Sequence, residues 1–272
     1  MYALDFEYDN QRLSDYGFII CDFNGASGAE IVNAGSRITF NTVSRHRGKN
    51  YGLIGTQYDE CIQTKFDICK DPEIYDDLRI TYNEYRDLIR WLNRNEFLKF
   101  QILFDPCDIP EIEPCYFKAS FNVEKIKIGE VLYGLELTME TNAPFGYGEE
   151  YVRSHEITAT NSSFVLKDVS DEIGCIYPSM TITCKASGDV EIVNAKEECT
   201  MLIRNCTAGE VISIDGNAMI ISTSLSGHDI CDDFNYEFLR IGNEFNNRDN
   251  KISVSLPCTI EIRYFPIVKE SP

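Results

Sequence analysis

The sequence predicts a mainly β protein of two domains, an α+β N-terminal domain followed by an antiparallel β-sandwich. Only residues 82–95 show a clear amphipathic helical pattern, whereas strand-like alternation recurs through much of the remaining chain. At 272 residues, the chain exceeds the roughly 100–200 residues of a typical domain. The hydrophobic share of 43% is sufficient for real cores, and 17 Gly and 9 Pro are too few for a disordered or fibrous protein.

The first part of the chain predicts strands and one exposed arm. Residues 2–8 and the apolar run 18–21, with a turn at Asp9 and Asn10 between them, indicate a hairpin-like opening. Residues 36–43 alternate again and place Ile38 and Phe40 on one side. Residues 44–57 contain three glycines and four basic side chains, His46 included, but no sustained apolar face. We therefore expect an arm or long hairpin that cannot bury itself.

The helix over residues 82–95 is the element around which the first domain is organised. Thr81 and Glu84 form a capping-box pattern, in which each side chain bonds a backbone N–H at the helix start. Apolar residues then recur at helical spacing on one face, namely Tyr85, Leu88, Ile89, Trp91 and Leu92. A strand is predicted directly afterwards, over residues 97–104. A single helix among strands usually packs on a sheet, so we interpret the aromatic stripe as core.

The domain boundary is predicted where the alternating pattern stops. Strand patterns over 115–123 and 132–139 are followed by residues 141–150, which break every period. We assign 1–146 to an N-terminal sandwich-like or barrel-like β domain, 147–154 to a linker and 155–272 to a C-terminal domain. That last segment shows many short alternating runs separated by turns and no convincing helix, which is typical of an antiparallel β-sandwich.

Charge and cysteine content limit the possible functions. The formal charge is −19, from 44 acidic and 25 basic residues, which opposes sequence-independent binding to phosphate backbones. Arg37, Arg45, Arg47 and Lys49 make the only basic window of note. We expect no signal peptide and no membrane span, hence synthesis in the cytoplasm. The odd number of cysteines, eleven, and their spacing favour buried free thiols over disulfides or zinc ligands.

The sequence contains no recognisable catalytic or cofactor motif. Phosphate-binding glycine loops, nucleophile elbows, paired helical histidines and EF-hand loops are all missing. The three histidines, His46, His155 and His228, lie far apart in the sequence. Two acidic clusters, at 168–172 and 229–233, could hold calcium, but in so acidic a chain we interpret them as solvated loops. We therefore predict no enzyme, no cofactor and no metal.

The order of these pieces resembles the distal tail proteins of long-tailed phages and prophages. In the first domain the similar segments are LSDYGFII at 13–20, LIRWL at 88–92, LELTM at 135–139 and PF at 144–145. In the second they are YPSMTI at 177–182, GEVISID at 209–215, FLRI at 238–241, NKISV at 250–254 and IEIRY at 260–264. The resemblance covers nearly the whole chain and rests on the order and spacing of segments that are individually unspecific.

This resemblance implies a structural component of the virion, at the tail tip. It implies a ring of six copies built by the N-terminal domains, with galectin-like C-terminal sandwiches pointing outward and a central channel for DNA. The ring would join the tail tube protein to a tail-tip or baseplate protein, with no membrane partner and no sequence-specific nucleic-acid binding. The arm would then lie on a neighbouring subunit, and we predict that ring contacts involve Arg45, Arg47, Lys49 and Tyr51.

Two alternatives from other classes remain open at this stage. The first is a carbohydrate-binding module for the host surface, acting through residues 155–272 with an aromatic side chain among Tyr177, Phe164, Phe234, Tyr236 and Phe245. The second is a cysteine-dependent enzyme, for which one hyper-reactive thiol would be the evidence.

Overall fold

The computed structural model describes residues 5–23, 38–44, 51–58, 61–104 and 114–269. The described chain is predominantly β-strand, which confirms the predicted mainly β class. It divides into two compact units, one of Met1–Gly148 with Val268–Pro272 and one of Glu149–Ile267. Within the described residues, no helix has the length and apolar character that a membrane span requires.

The first unit is built on a seven-stranded antiparallel sheet. The strands of this unit in chain order are β1 (Asp5–Tyr8), β2 (Gln11–Arg12), β3 (Phe18–Cys21), β4 (Ile38–Ser44), β5 (Tyr51–Tyr58), β6 (Gln63–Lys70), β7 (Leu98–Leu103), β8 (Phe117–Ile128), β9 (Val131–Thr141) and β10 (Gly146–Tyr147). The sheet runs in the order β2-β1-β7-β8-β9-β6-β3. Strands β4 and β5 form a separate two-stranded sheet.

The chain opens with a hairpin that turns at Asp9 and Asn10 as predicted, but the expected second strand, residues 18–21, is not part of it. β1 pairs with β2 and β7, whereas β3 lies at the opposite edge of the sheet and pairs with β6. The cause is a 3-10 turn, Leu13–Tyr16, which ends at Gly17 with a φ of 73°. Glycine adopts this left-handed conformation without strain. It also leaves room for Tyr75, whose ring would lie 2.6 Å from a Cβ at this position.

The helix α1, Tyr82–Leu92, packs on the sheet as the sequence predicts. Both capping-box bonds are present, from the Glu84 N–H to Thr81 Oγ1 and from the Thr81 N–H to Glu84 Oε2 at 2.7 Å. Trp91 is buried, stacks on Tyr16 at 4.6 Å between ring centroids and donates from Nε1 to the Tyr8 carbonyl oxygen. The helix ends at Leu92, earlier than the predicted residue 95.

The second unit is a β-sandwich. Its elements are β11 (Tyr151–Ile157), β12 (Ser162–Lys167), β13 (Gly174–Ile176), β14 (Ser179–Cys184), β15 (Gly188–Asn194), β16 (Cys199–Cys206), β17 (Val211–Asp215), β18 (Ile220–Thr223), the short helix α2 (Ile230–Asp233), β19 (Ile241–Asn243), β20 (Asp249–Val254) and β21 (Cys258–Tyr264). The last strand, β22 (Ile267–Val268), contains the point at which the chain passes from the second unit to the first. One main sheet has the order β11-β21-β14-β17-β18 and the other β12-β20-β15-β16. Residues of both sheets, including Ile182, Ile260, Ile192 and Ile203, share one fully buried core.

Two local expectations for the boundary region and the second unit differ from the structure. Residues 151–154, expected to be linker, belong to β11, where Tyr151 lies opposite Tyr264 of β21. The local sequence of 151–154 does not indicate a strand. These residues form one because they pair with β21, more than a hundred positions away in the sequence. The helix α2 was also not expected, and its four residues are too few to show a helical period. The independent folding of the two units stays a prediction.

Candidate assembly surface

Strands β4 and β5 form a ribbon of their own, and none of its described residues belongs to the buried core of the first unit. The two strands pair antiparallel, with Ile38 opposite Tyr58, Phe40 opposite Thr56 and Thr42 opposite Leu53. A bulge between Asn41 and Thr42 shifts the register. A two-stranded hairpin alone is marginally stable in water. The ribbon therefore needs a further surface against which to pack.

One face of this ribbon is apolar and exposed. Because side chains alternate along a strand, Ile38 and Phe40 lie on the same face of the ribbon. Leu53 lies opposite Thr42, two positions after Phe40, and therefore belongs to the same face. Phe40 is 62% exposed and Leu53 is 60% exposed. Ile54, which the bulge leaves without an opposite residue in β4, is 69% exposed. Grouped apolar exposure of this kind is typical of an interaction surface, whereas single exposed apolar residues are normal.

The structure does not describe the side chains of the four predicted contact residues. Arg45, Arg47 and Lys49 lie outside the described residues, between β4 and β5 in sequence. Tyr51 begins β5 and pairs with Ser44, but its side chain is outside the described part of the structure. The structure therefore does not test these four residues as contacts. Sequence reasoning did not find the apolar face, which only appears when Leu53 and Ile54 are set in register with Phe40.

The ribbon segment also differs in charge from the rest of the chain. Residues 36–58 contain four of the 25 Lys and Arg residues and none of the 44 Asp and Glu residues. The segment thus carries +4 in a chain of formal charge −19, and this charge comes from Arg37, Arg45, Arg47 and Lys49, which lie outside the described residues. Opposite potentials on two surfaces favour their association and fix their orientation. A strongly acidic partner would complement this segment.

A second notable cluster lies inside the second unit, around His228. Glu210 is completely buried and His228 nearly so, and His228 Nδ1 lies 2.6 Å from Glu210 Oε1. Glu210 also accepts hydrogen bonds from the Thr207 N–H at 2.8 Å and from the Thr223 hydroxyl. On its other side, His228 Nε2 lies 3.2 Å from Asp233 Oδ2 of α2. His228 thus holds the α2 segment to the turn that precedes β17.

The ionisation of this pair follows from its surroundings. Burial alone would lower the pKa of His228, but the hydrogen bond and charge of Glu210 outweigh it and raise the pKa. Burial would raise the pKa of Glu210, but hydrogen bonds from Thr223 and His228 lower it below its usual value. Both shifts favour the ionised forms of this buried pair, the His228 imidazolium and the Glu210 carboxylate. No local pattern signals this pair, because its members lie 18 positions apart.

The remaining candidate residues are dispersed. His155 stacks on Phe164 at 3.9 Å, and burial together with the nearby Arg153 charge lowers its pKa. Asp168 is buried and accepts hydrogen bonds from the N–H and hydroxyl of Ser170. His46 lies outside the described residues. In the described ranges, no group of three or more His, Cys, Asp or Glu side chains is arranged to hold a metal ion.

The aromatic side chains considered for sugar binding are divided between core and surface. Phe234 is buried, and Phe164 and Tyr177 are half-buried against the sandwich core. Tyr236 and Phe245 are 64% and 76% exposed. Only these two present much of their rings to solvent.

Comparison with known proteins identifies the family to which this chain belongs. Residues 1–143 match a family model described as a phage tail protein N-terminal domain, and residues 145–264 match one described as a phage tail C-terminal domain. The chain belongs to this phage tail protein family. The resemblance to phage tail components noted in the sequence is thereby confirmed. A search of curated proteins found no match.

A solved structure shows the same fold over nearly the entire length. The crystal structure of the Dit protein of phage SPP1 matches with a TM-score of 0.64, covering 97% of this chain and 99% of that one. The two sequences are 13% identical. SPP1 Dit is described as a paradigm of the hub adsorption apparatus in phages that infect Gram-positive bacteria.

Proposed function

We propose that this phage tail protein is a distal tail protein, a non-enzymatic hub whose copies form a ring of six. The ring joins the tail tube to the tail-tip or baseplate proteins. The exposed apolar ribbon β4–β5 is the observation that carries the proposal, and the fold shared with SPP1 Dit, which is described as a hub protein, supports it. The second unit is proposed to be a galectin-like sandwich on the outer side of the ring.

A second copy of the chain is the partner that best fits the ribbon. The ribbon segment is basic, whereas the rest of the chain is strongly acidic, so a copy supplies a complementary surface. In a closed ring with head-to-tail contacts, every ribbon meets the same acceptor surface on the next subunit. Closure thereby covers all the apolar ribbons at once and leaves none exposed to solvent.

The net charge is consistent with a passage for DNA through the ring. At −19, the chain has an excess of carboxylates, and negative groups facing a channel repel the phosphate backbone. DNA would then slide through without being retained. This step depends on ring formation and is secondary to it.

A matched set of variants tests the role of the ribbon. Phe40→Ser combined with Leu53→Ser removes two of the exposed apolar side chains of the ribbon, and Ile128→Ser removes one apolar side chain of similar exposure, 63%, at the end of β8. We expect the double variant to be a folded monomer by native mass spectrometry and circular dichroism. The Ile128→Ser control retains the wild-type assembly. A double variant that assembles like the wild type would disprove the role of the ribbon.

A second candidate, host-glycan binding by the sandwich, is favoured by the exposure of Tyr236 and Phe245. A glycan array probed with the full-length protein tests it. Glycan binding that is abolished by Phe245→Ala would support this role. If the protein binds no glycan on the array, the role is excluded for those glycans. This role is compatible with the hub.

We also propose that the two compact units are separate domains with a boundary near Gly148. Limited proteolysis of the native protein should cut first between Tyr147, which ends β10, and Tyr151, which begins β11, and leave two resistant fragments. First cuts inside either sandwich or sheet would contradict this division.

A further inference from the structure

We propose that Cys184 and Cys258 are a disulfide-forming pair that cross-links and stabilises the sandwich once the protein has left a reducing medium. Cys184 is the last residue of β14, and Cys258 is the first residue of β21. Both thiols are free in the structure. This inference is separate from the proposed hub role, because it concerns the second unit alone and does not require ring formation.

The strand register places the two cysteines directly opposite each other. β14 and β21 pair antiparallel, from Ser179 opposite Arg263 to Cys184 opposite Cys258. Opposite residues of an antiparallel pair point to the same face of the sheet. For this pair that face is the interior, since Cys184 and Cys258 are 1% and 0% exposed and belong to the sandwich core. Across the described strands, no other two cysteines lie opposite each other.

The backbone hydrogen bonds show how closely the two cysteines approach. The Cys184 N–H donates to the Glu210 carbonyl oxygen at 2.9 Å, and the Cys184 carbonyl oxygen accepts from the Gly209 N–H at 2.8 Å. Both groups therefore point away from β21, whereas the next residue, Lys185, donates its N–H to the Pro257 carbonyl oxygen at 3.0 Å. Cys184 and Cys258 are thus a non-hydrogen-bonded pair. Cα atoms of such pairs are about 4.5 Å apart, within the range of about 4.4–6.8 Å that a disulfide spans.

The position at the strand ends leaves room for the small approach that the bond requires. Cβ atoms of opposite residues are about 4.5–5.5 Å apart, and a disulfide brings them to about 3.5–4.5 Å. Cys184 and Cys258 occupy the last register position of the β14–β21 pair. A shift of about 1 Å there leaves the preceding positions of the two strands in place.

Other cysteines of the described strands lack this geometry. Cys206 lies opposite Gly188 of β15, and its thiol donates to the Ile203 carbonyl oxygen at 3.5 Å. In the first unit, Cys21 and Cys69 are diagonal neighbours across β3 and β6. Such positions are about 7–8 Å apart, beyond the usual disulfide range.

Burial determines when the bond forms. It raises the pKa of Cys258 to about 11, so this thiol stays protonated at neutral pH, and an oxidant in solution does not reach a fully buried sulfur. We therefore expect oxidation while the chain folds or while the strand ends open locally. Once formed, the bond is shielded from reductants in the same way.

The bond forms by two thiol–disulfide exchanges with a small disulfide such as glutathione disulfide. The thiolate of one cysteine attacks a sulfur of glutathione disulfide, which gives a mixed disulfide and releases one glutathione thiolate. The thiolate of the second cysteine attacks the protein sulfur of the mixed disulfide and releases the second glutathione thiolate. The two glutathione thiolates take up the two protons that the cysteines lose, so the cysteines are oxidised and glutathione disulfide is reduced.

The full-length protein, fully reduced, tests the proposal in two treatments. One sample is refolded from urea in a glutathione redox buffer, and the other is incubated natively with glutathione disulfide; remaining thiols are then blocked with iodoacetamide. We expect a Cys184–Cys258 linked peptide in the non-reducing digest of the refolded sample, and a thermal midpoint of its second unit higher by roughly 5–10 °C than in the reduced protein. A digest without this linkage after both treatments, or one in which Cys184 is linked to Cys206, overturns the proposal. A linked protein that melts at the temperature of the reduced protein also overturns it.

Two variants identify the sulfurs involved. Cys258→Ser removes one of the two sulfurs and should abolish both the linked peptide and the rise of the thermal midpoint. Cys206→Ser removes another buried thiol of the same unit, and its hydroxyl can donate to the Ile203 carbonyl oxygen as the thiol does, so it should leave both unchanged. Loss of the linked peptide in a Cys206→Ser protein with the circular dichroism of the wild type would contradict the proposal. The wild-type digest tests the linkage independently of whether either variant folds.

Discussion

The buried ion pair in the sandwich gives a quantitative prediction, through the substitution His228→Ala. The substitution removes the imidazole from its contact of 2.6 Å with Glu210, whose carboxylate is completely buried. Removing one partner of a buried pair costs about 3–5 kcal/mol, because the other charge stays buried without compensation. Glu210 keeps its hydrogen bonds from Thr207 and Thr223, which offset part of that loss. We therefore expect the free energy of unfolding to fall by about 2–4 kcal/mol.

The pH dependence of this loss follows from the two pKa shifts. The pKa of His228 is raised on folding, so its contribution is complete below the unfolded pKa of about 6.5 and is lost as the pH rises through the folded value. The pKa of Glu210 is lowered, so its contribution is present above about 4.5 and is lost as the pH falls through the folded value. The pair therefore stabilises the fold most between about pH 4.5 and pH 6.5.

Urea unfolding of wild type and His228→Ala at pH 5.5, 7 and 9 measures this effect. The difference in unfolding free energy should be largest at pH 5.5 and decrease toward pH 9. Lys185→Ala, which removes an exposed ion pair with Glu156 in the same unit, serves as the control and should change the unfolding free energy little at any of these pH values. An equal loss for His228→Ala at all three pH values would refute the ionised state of the pair.

Two further predictions concern the helix of the first unit. Thr81→Ala removes the cap that accepts the Glu84 N–H and should lower the free energy of unfolding by about 1 kcal/mol in urea denaturation; an unchanged midpoint would contradict the cap. Trp91→Ala removes a buried ring and its bond to the Tyr8 carbonyl oxygen and should cost about 3–5 kcal/mol, whereas Tyr82→Ala, 73% exposed on the same helix, should stay within about 0.5 kcal/mol. Similar losses of unfolding free energy in Trp91→Ala and Tyr82→Ala would contradict the assignment of Trp91 to the buried face and Tyr82 to the exposed face of the helix.

The sequence predicted the features that depend on neighbouring residues. The capping box of Thr81 and Glu84, and the buried stripe that includes Leu88 and Leu92, arise from spacings of three to seven positions. The alternating strands of the sandwich depend on a spacing of two. Such local signals are visible in a single sequence, and they were sufficient to predict the class of fold.

The features that sequence reasoning missed depend on distant pairs. The partner of β3 is β6, about fifty positions further along, and nothing within 18–21 indicates it. The end of the helix at Leu92 also depends on a distant contact. The next residue, Asn93, donates its side-chain amide to the carbonyl oxygen of Phe121, which lies 28 positions further along the chain. The apolar face of the ribbon likewise requires the register of β4 on β5.

The central claim is that the copies assemble into a ring, and it is tested most directly by the native mass of the purified protein across a concentration series, with negative-stain images of the heaviest species. The proposal predicts a hexamer of about six times the 31.1 kDa chain, seen as a six-fold ring with a central hole. A monomer at every concentration, or an assembly without a central opening, would contradict it.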